Sequence, residues 1–334
     1  MPMPMAMAGR PAPRDRTTVT RTPGARRRED ADALARLSTP RDLVRFAVTR
    51  FAEAGIDYGH GTDNPVDEAT WLVSAALSLP VDQHATFADA SLLRREIAAV
   101  LRLIRRRCED RVPLAYLLGE AWLCGFRFRC DSRALVPRSP IVEAMASGGL
   151  SAWFDEEREP ASILDLCTGG GSIAIAAAHV YRDARIVASD LSFDALSLAA
   201  ENVALHSLGE RIALVQGDCF DTLEGERFDL ILCNPPYVNA DSMARLPPEY
   251  RAEPPAALAG GEDGMAMIER ILRGAPAHLA ADGLLVLEMG HEADAFERRF
   301  PDLRHEWVAV AAGERQIAAI TAEALGTAGA TIRG

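Results

Sequence analysis

The chain reads as an α/β protein, a doubly wound seven-stranded sheet preceded by a small helical domain. Three observations predict this. From about Ser162, short apolar runs alternate with helical stretches, the pattern of parallel strands joined by crossover helices. The first run ends in a glycine-rich turn, Asp165-Leu-Cys-Thr-Gly169-Gly-Gly171, that opens directly into a helix. Acids then recur at successive strand ends, as Asp165, Asp190 and Asp218, where open α/β sheets bind ligands.

Composition sets the limits. The 334 residues suit one large domain or two smaller ones, and 49% hydrophobic with 25% charged residues is an ordinary globular balance. No apolar run reaches eighteen residues, so no membrane span is expected. The net charge of -12 weighs against a duplex-binding protein and suits a basic protein partner. All 36 basic residues are arginine. Without lysine, Schiff-base enzymes and P-loop NTPases are excluded; coding bias is the bland cause of the lysine absence. The six cysteines, Cys108, Cys124, Cys130, Cys167, Cys219 and Cys233, form no C-x-x-C pair. They read as small buried residues in a reducing cytoplasm, with no metal implied.

Taken in order, residues 1–30 are rich in Pro, Arg, Thr and Ala without apolar periodicity and read as a disordered tail. Their arginine excess also resembles a transit peptide. A helical domain follows over 31–120. Thr39-Pro40 starts a helix carrying Leu43, Val44, Phe46, Ala47 and Phe51; a second runs near Val66–Leu77, and a third near Leu92–Arg107 with Ile97, Val100, Leu101 and Ile104 inward. Between the first two, Tyr58-Gly-His-Gly-Thr-Asp-Asn64 reads by composition as a solvated loop. Arg105-Arg-Arg107 reads as a solvated charge run in preference to a nucleic-acid contact. Alternation over 121–140, with Trp122, Cys124, Phe126 and Phe128 against Arg127 and Arg129, predicts a hairpin linker. Pro137-Arg138-Ser139-Pro140 breaks that pattern. The remainder, 141–334, reads as the doubly wound α/β domain. Its strands fall near Ile163–Cys167, Arg185–Ser189, Ile212–Gln216, Phe228–Cys233, Leu284–Met289, His305–Val310 and Gln316–Thr321. Its helices fall near Ser172–Val180, Ser192–His206 and Met265–Leu279.

The acids choose the cofactor. Glycines Gly169 and Gly171 let the backbone turn sharply and approach a ligand, as in dinucleotide folds. The spacing here is not G-x-G-x-x-G, and Asp165 precedes the turn. A carboxylate repels a diphosphate but attracts the amino group of an amino-acid-bearing cofactor, which favours S-adenosylmethionine over NAD. Thr168 belongs to the same turn. Asp190 can accept both hydroxyls of a ribose, and Asp218 can accept from an adenine amine.

The fourth strand, Phe228-Asp-Leu-Ile-Leu-Cys233, runs straight into Asn234-Pro235-Pro236-Tyr237. This tetrapeptide suits a planar exocyclic nitrogen. An amide nitrogen is a poor nucleophile because its lone pair is delocalised, so acceptors for both N–H groups hold it and favour charge developing there. The Asn234 side-chain oxygen can accept one and the Pro235 carbonyl the other. The two prolines fix φ, and Tyr237 can lie on the amide face. Catalysis is then mainly positioning. Asn234, Pro235 and Tyr237 are the catalytic candidates; with Pro236 and Arg138 they are the substrate-binding candidates, and Asn234 also adjoins the cofactor.

Asn-Pro-Pro-Tyr at this place resembles the motif of methyltransferases acting on planar nitrogens, which include adenine amino-methyltransferases and glutamine methyltransferases of translation proteins. From about residue 38 the chain is similar to the release-factor and ribosomal-protein glutamine methyltransferase family. Tyr58-Gly-His-Gly-Thr-Asp-Asn-Pro-Val-Asp-Glu68, Leu135-Val-Pro-Arg-Ser-Pro-Ile141 and Asp165-Leu-Cys-Thr-Gly resemble its ribosomal branch, which modifies the third large-subunit protein. Gly170 departs from the serine more frequent in the family.

The resemblance implies a class I, Rossmann-like methyltransferase domain, S-adenosylmethionine as cofactor and a basic ribosomal protein as substrate, free or in an assembling particle. It implies a cytoplasmic place, with neither membrane nor nucleic acid as direct substrate. It also implies that the long segment after Tyr237, with Tyr250, Arg251 and Glu253, covers the site beside Pro137–Pro140, where Arg138 binds substrate backbone or cofactor carboxylate. The release-factor enzyme, an adenine methyltransferase and a non-catalytic cofactor binder are the rival readings.

Overall fold

The computed structural model describes residues 32–154, 158–311 and 313–328, so the stretch read as a disordered tail lies outside the described residues. The chain separates into two compact units, 1–118 and 119–334.

The first unit is helical. Helix α1 (Pro40–Ala54) starts on a capping box, Thr39 Oγ1 accepting from the Asp42 N–H at 3.2 Å and the Asp42 carboxylate accepting back from Thr39, and it ends at Gly55 with φ 61°. Helix α2 (Pro65–Ala76) starts where Asn64 Oδ1 accepts from the N–H groups of Val66 and Asp67. Helix α3 (Arg94–Glu109) packs on both, burying Ile97, Val100, Leu101 and Ile104 as the periodicity predicts.

Two polar readings change here. Arg107 is not part of a solvated run; it is 1% exposed, and its guanidinium binds the buried Glu68 carboxylate and the Asp57 carbonyl. The Tyr58–Asn64 segment is not simply solvated either. His60 is buried, and Thr62 Oγ1 donates to Glu68 Oε2 at 2.8 Å. The physical reason is common to both. A buried arginine needs a carboxylate and further hydrogen bonds, and this polar loop helps supply them.

The second unit opens with a hairpin of β1 (Glu120–Leu123) and β2 (Phe126–Arg129). Its two-residue turn puts Cys124 (φ 49°) and Gly125 (φ 84°) in the left-handed region that such hairpins require. Helix α4 (Pro140–Ala146) then grows from the proline-rich segment, where the sequence suggested only a break.

Next comes the sheet. Its strands are β3 (Ser162–Leu166), β4 (Arg185–Asp190), β5 (Ile212–Gln216), β6 (Phe228–Cys233), β7 (Leu279–Glu288), β8 (Glu306–Trp307) and β9 (Ile317–Thr321). Their order is β5-β4-β3-β6-β7-β9-β8, with β9 antiparallel to β7 and β8. The seven predicted strands are all present. The sixth is cut to two residues at the sheet edge, a short exposed strand being a poor template for aggregation.

Helices α5 (Ser172–Val180) and α6 (Phe193–Leu205) follow β3 and β4, and α7 (Ala266–His278) precedes β7. Both sheet faces are buried. Leu284 and Val286 join the core that holds α5, while Leu285 and Leu287 join the core that holds α7. This is why the strands read as continuous apolar runs instead of alternating.

Winding starts at β3 and moves outward through β4 to β5; the chain then returns to lay β6 on the other side of β3. The carboxyl ends of β3 and β6 therefore flank a topological switch point, where the connections diverge and leave a crevice. Among the described residues no helix is long and apolar enough to cross a membrane.

Candidate active site

The turn after β3 is built on positive φ at Cys167 (62°), Gly169 (56°) and Gly171 (83°). For a cysteine that conformation is strained, and the surroundings hold it. The Thr168 N–H donates to the Ser189 carbonyl at 3.0 Å, and the Gly169 N–H donates to Asp190 Oδ2 at 2.8 Å. Gly171 caps α5, and a Cβ there would meet the Ala199 Cβ at 3.3 Å. Gly170 is different. Its φ is ordinary, and a Cβ would make normal contact with Leu198 at 3.4 Å, so the family's serine fits the same backbone.

The three acids divide. Asp190 lies on the cavity wall, with Oδ1 accepting from the Ser192 N–H and Oδ2 from Gly169. Asp218 lines the cavity too, but its Oδ1 accepts from Arg270 at 3.0 Å. Asp165 does not reach the wall. It is fully buried, and its Oδ2 accepts from Thr168 Oγ1 and the Ala174 N–H, tying the turn to the start of α5. Its Oδ1 has no partner among the described residues. Burial, against those two hydrogen bonds, pushes its pKa up to about 7. Thr168, Gly169, Asp190 and Asp218 thus share one cavity of about 240 Å³, and Asp165 and Gly171 lie outside its lining.

The tetrapeptide forms the facing wall of the same cavity. Register pairs Leu166 with Cys233, so Asn234 leaves β6 level with the turn that leaves β3. Asn234, Pro235, Pro236 and Tyr237 all line the cavity. The Asn234 amide makes no side-chain hydrogen bond to another described residue and lines the cavity.

Tyr237 is held tightly. Its hydroxyl donates to Glu288 Oε1 at 3.1 Å. A Cβ on Gly290 would stand 2.7 Å from its ring, and one on Gly264 would meet its carbonyl oxygen, so only glycine admits this ring and backbone placement.

Glu288 ends β7 and is a cavity residue that the sequence reading leaves out. Its second oxygen accepts from Ser139 Oγ at 2.5 Å, and the same Ser139 oxygen accepts from Ile141 N–H to start α4. Burial pushes the Glu288 pKa up to about 7, against these hydroxyl bonds and the nearby Arg138 charge. The sequence carries a signal for it. Glu288 closes the apolar run Leu284-Leu-Val-Leu at the strand end where ligands gather.

A stability test follows from the sign of that shift. The folded pKa of about 7 lies above the ordinary 4.5, so the stabilisation is complete below about pH 4.5 and is lost as pH rises through 7. Glu288→Gln removes the buried charge. Its melting temperature should exceed the parent's at pH 8, for a gain of ~2–3 kcal/mol, and match it near pH 5. An equal difference at both pH values would rule out the buried charge as the cause.

Arg138 is already engaged. Its Nη2 donates to Glu253 Oε2 at 2.8 Å, its Nη1 donates to Glu253 and to the Val136 carbonyl, and its guanidinium lies 5.6 Å from the Tyr250 ring centroid. Glu253 is buried and accepts also from the Val136 N–H at 3.0 Å. The long segment after Tyr237 is therefore pinned to the Pro137–Pro140 wall, in the place that the resemblance implied.

The cavity fits the expected cofactor better than a diphosphate. Its wall contains two arginines, Arg133 and Arg138, and both are paired with acids: Arg133 with Asp131 and Glu201, Arg138 with Glu253. The Asp190 carboxylate on the wall, each oxygen accepting one backbone N–H and keeping a second lone pair, and the adjoining glycines Gly169 and Gly170 suit a ribose and an amino-acid moiety. Among the described residues no cluster could hold a metal ion, and the six cysteines are unpaired.

Two family models match: the methyltransferase small domain over residues 146–246, and the PrmC N-terminal domain over residues 42–119. The ribosomal protein uL3 glutamine methyltransferase of Bordetella pertussis is 50% identical over 87% of this chain and 97% of its own length. The enzyme of the same description from Burkholderia pseudomallei is 47% identical over 86% of this chain and 95% of its own. A methyltransferase structure from Pyrococcus furiosus is similar with a TM-score of 0.43 and 16% identity, covering 60% of this chain and 89% of that one. Both relatives are matched over most of this chain and nearly the whole of their own length, and the chain belongs to the ribosomal protein uL3 glutamine methyltransferase family.

Proposed function

We propose that this protein methylates the side-chain amide nitrogen of a glutamine in ribosomal protein uL3, in the cytoplasm, with the residues of the β3 turn holding S-adenosylmethionine and those of the β6 tetrapeptide holding the amide. One observation carries the assignment of roles: the turn with Asp190 and the tetrapeptide with Asn234 face each other across a single cavity at the sheet's switch point.

S-adenosylmethionine supplies a methyl group on a positively charged sulfur, already electrophilic, so the protein's task is placement. Asn234 Oδ1 accepts one amide N–H and the Pro235 carbonyl the other. This orients the nitrogen lone pair and favours the positive character that develops on nitrogen. Pro235 and Pro236 hold that carbonyl by their fixed φ. Tyr237, clamped by Glu288 and Gly290, covers the amide face and excludes water. Asp190 accepts from the ribose hydroxyls. Asp218, half-committed to Arg270, keeps an oxygen for the adenine amine.

Asp165 acts through the turn. Its Oδ2 sets Thr168 and the start of α5. Arg138 is assigned to holding the covering segment through Glu253, in place of direct substrate binding, because three of its five N–H donors are committed to Glu253 and the Val136 carbonyl.

The acidic catalytic unit suits a basic substrate. Residues 119–334 hold 33 acidic and 18 basic residues, a balance that speeds encounter with a positively charged protein. With radiolabelled cofactor, the purified protein should place label on one glutamine of uL3. Label appearing instead on release factors or on nucleic acid would overturn the substrate assignment while leaving the chemistry intact.

A further inference from the structure

We infer that the outer face of α3 is an RNA-binding surface, through which the enzyme engages a uL3 molecule already carried on ribosomal RNA; this rests on the uL3 reading above.

The observation is one of placement. Helix α3 buries Ile97, Val100, Leu101, Ile104, Arg107 and Cys108 on one side. Arg94, Arg95, Arg102, Arg105 and Arg106 are all exposed. At ~100° per residue these five occupy an arc of about 120° on the opposite side, and at ~1.5 Å rise they extend about 18 Å along the axis. Within that arc only Ala98 and Glu109 interrupt them. The triplet Arg105–Arg107 hides this, since its third member points inward. The surface is assembled across three helical turns instead.

Four of the five, Arg94, Arg95, Arg102 and Arg105, form no ion pair with another described residue; Arg106 reaches only Asp110, at 3.8 Å. Among the other described residues, many exposed arginines pair with acids, as Arg41 does with Asp89 and Arg315 with Asp294 and Glu297, and those that do not are scattered singly and not gathered on one helix face. A run of unpaired like charges repels itself and is relieved by a polyanion.

Charge partition selects the partner. The helical unit over residues 32–118 is nearly balanced, with 12 acids and 11 arginines, yet it places five of those arginines together. The catalytic unit, with 33 acids against 18 arginines, repels a polyanion. A membrane is disfavoured because a surface-seeking helix needs an apolar face beside its charges, and here the apolar face is spent on the unit's own core. An RNA backbone presents phosphates in series along a length comparable to this face, and arginine forks match them. A ribosomal protein substrate brings such a backbone with it.

The test uses the full chain, deproteinised large-subunit ribosomal RNA as probe, and the variant Arg94→Gln/Arg95→Gln/Arg102→Gln/Arg105→Gln. Glutamine keeps helix propensity, and circular dichroism with turnover on free uL3 checks that the variant is folded and active. The parent should bind the RNA with a steep salt dependence. At ~0.7 of slope per phosphate contact, the variant's slope should be shallower by about 3, with at least a tenfold loss of affinity at 100 mM salt. Methylation of uL3 presented on that RNA should fall, while methylation of free uL3 stays unchanged. Equal slopes and affinities for parent and variant would overturn the inference. So would competition by poly-glutamate as effective as that by RNA. RNA binding is read without turnover, so a failure of the enzyme to label uL3 is distinguishable: it would fall on the substrate reading.

Discussion

Asn234→Ala should lower kcat by about 10²–10³-fold, the usual cost of removing one preorganised hydrogen-bond partner from a reacting group, ~3–4 kcal/mol of transition-state stabilisation. The side chain is half-buried on the cavity wall, and its amide has no partner to release within the described protein. Truncation therefore leaves no orphaned group behind, and the fold should be indifferent to it. The Asn234 oxygen meets the acceptor amide, and the cofactor is gripped from β3 and β4, so the cofactor dissociation constant should stay within about threefold. Single-turnover rates with calorimetric titration of the cofactor separate the two quantities. Parallel loss of rate and cofactor affinity would show that Asn234 shapes the cavity and takes no part in the reaction.

The second large effect should be the reverse. Asp190→Ala is expected to weaken cofactor binding about 100-fold or more while leaving kcat at saturating cofactor within a few-fold. Two hydrogen bonds from ribose hydroxyls to one carboxylate are worth ~1.5–3 kcal/mol each, and about 2.7 kcal/mol already corresponds to 100-fold. The substitution also frees the Gly169 and Ser192 N–H groups that this carboxylate now holds at 2.8 Å. The turn loses a tie as well as the ligand an acceptor. Isothermal titration of parent and variant measures it directly. An unchanged dissociation constant would move the ribose site away from β4.

How much of this could be read from residues alone depends on where the information is stored. The central strands were legible because strands buried on both faces must be apolar throughout, and Ile163–Leu166 and Phe228–Cys233 have few alternatives. The turn was legible because two of its three left-handed positions, Gly169 and Gly171, carry glycine. The tetrapeptide was legible because two prolines directly after a buried strand have few purely structural uses.

What escaped was set by tertiary contact. Arg107 sits in an arginine run, and Glu68, 39 positions away, together with the Asp57 carbonyl makes its burial tolerable. Glu288 reads as a strand-end acid until Ser139 and Tyr237 converge on it from distant segments. Asp165 was expected at the ligand and stands behind the turn, because its partners Thr168 and Ala174 lie on the helix side. Helix α4 escaped because seven residues after a proline-rich break carry too little periodicity to declare themselves.

The pairing of Leu166 with Cys233 has a consequence for the reaction coordinate. On the roles proposed above, the donor and acceptor platforms hang from the ends of two neighbouring parallel strands, whose separation is that of a backbone hydrogen-bond ladder, ~4.8 Å. The gap across which the methyl group travels is thus ruled by the sheet itself, the stiffest element available, and not by a hinge or by the docking of the helical unit. Substitutions that loosen the covering segment should therefore change how often substrate enters, while the distance of transfer keeps the gauge of the strands.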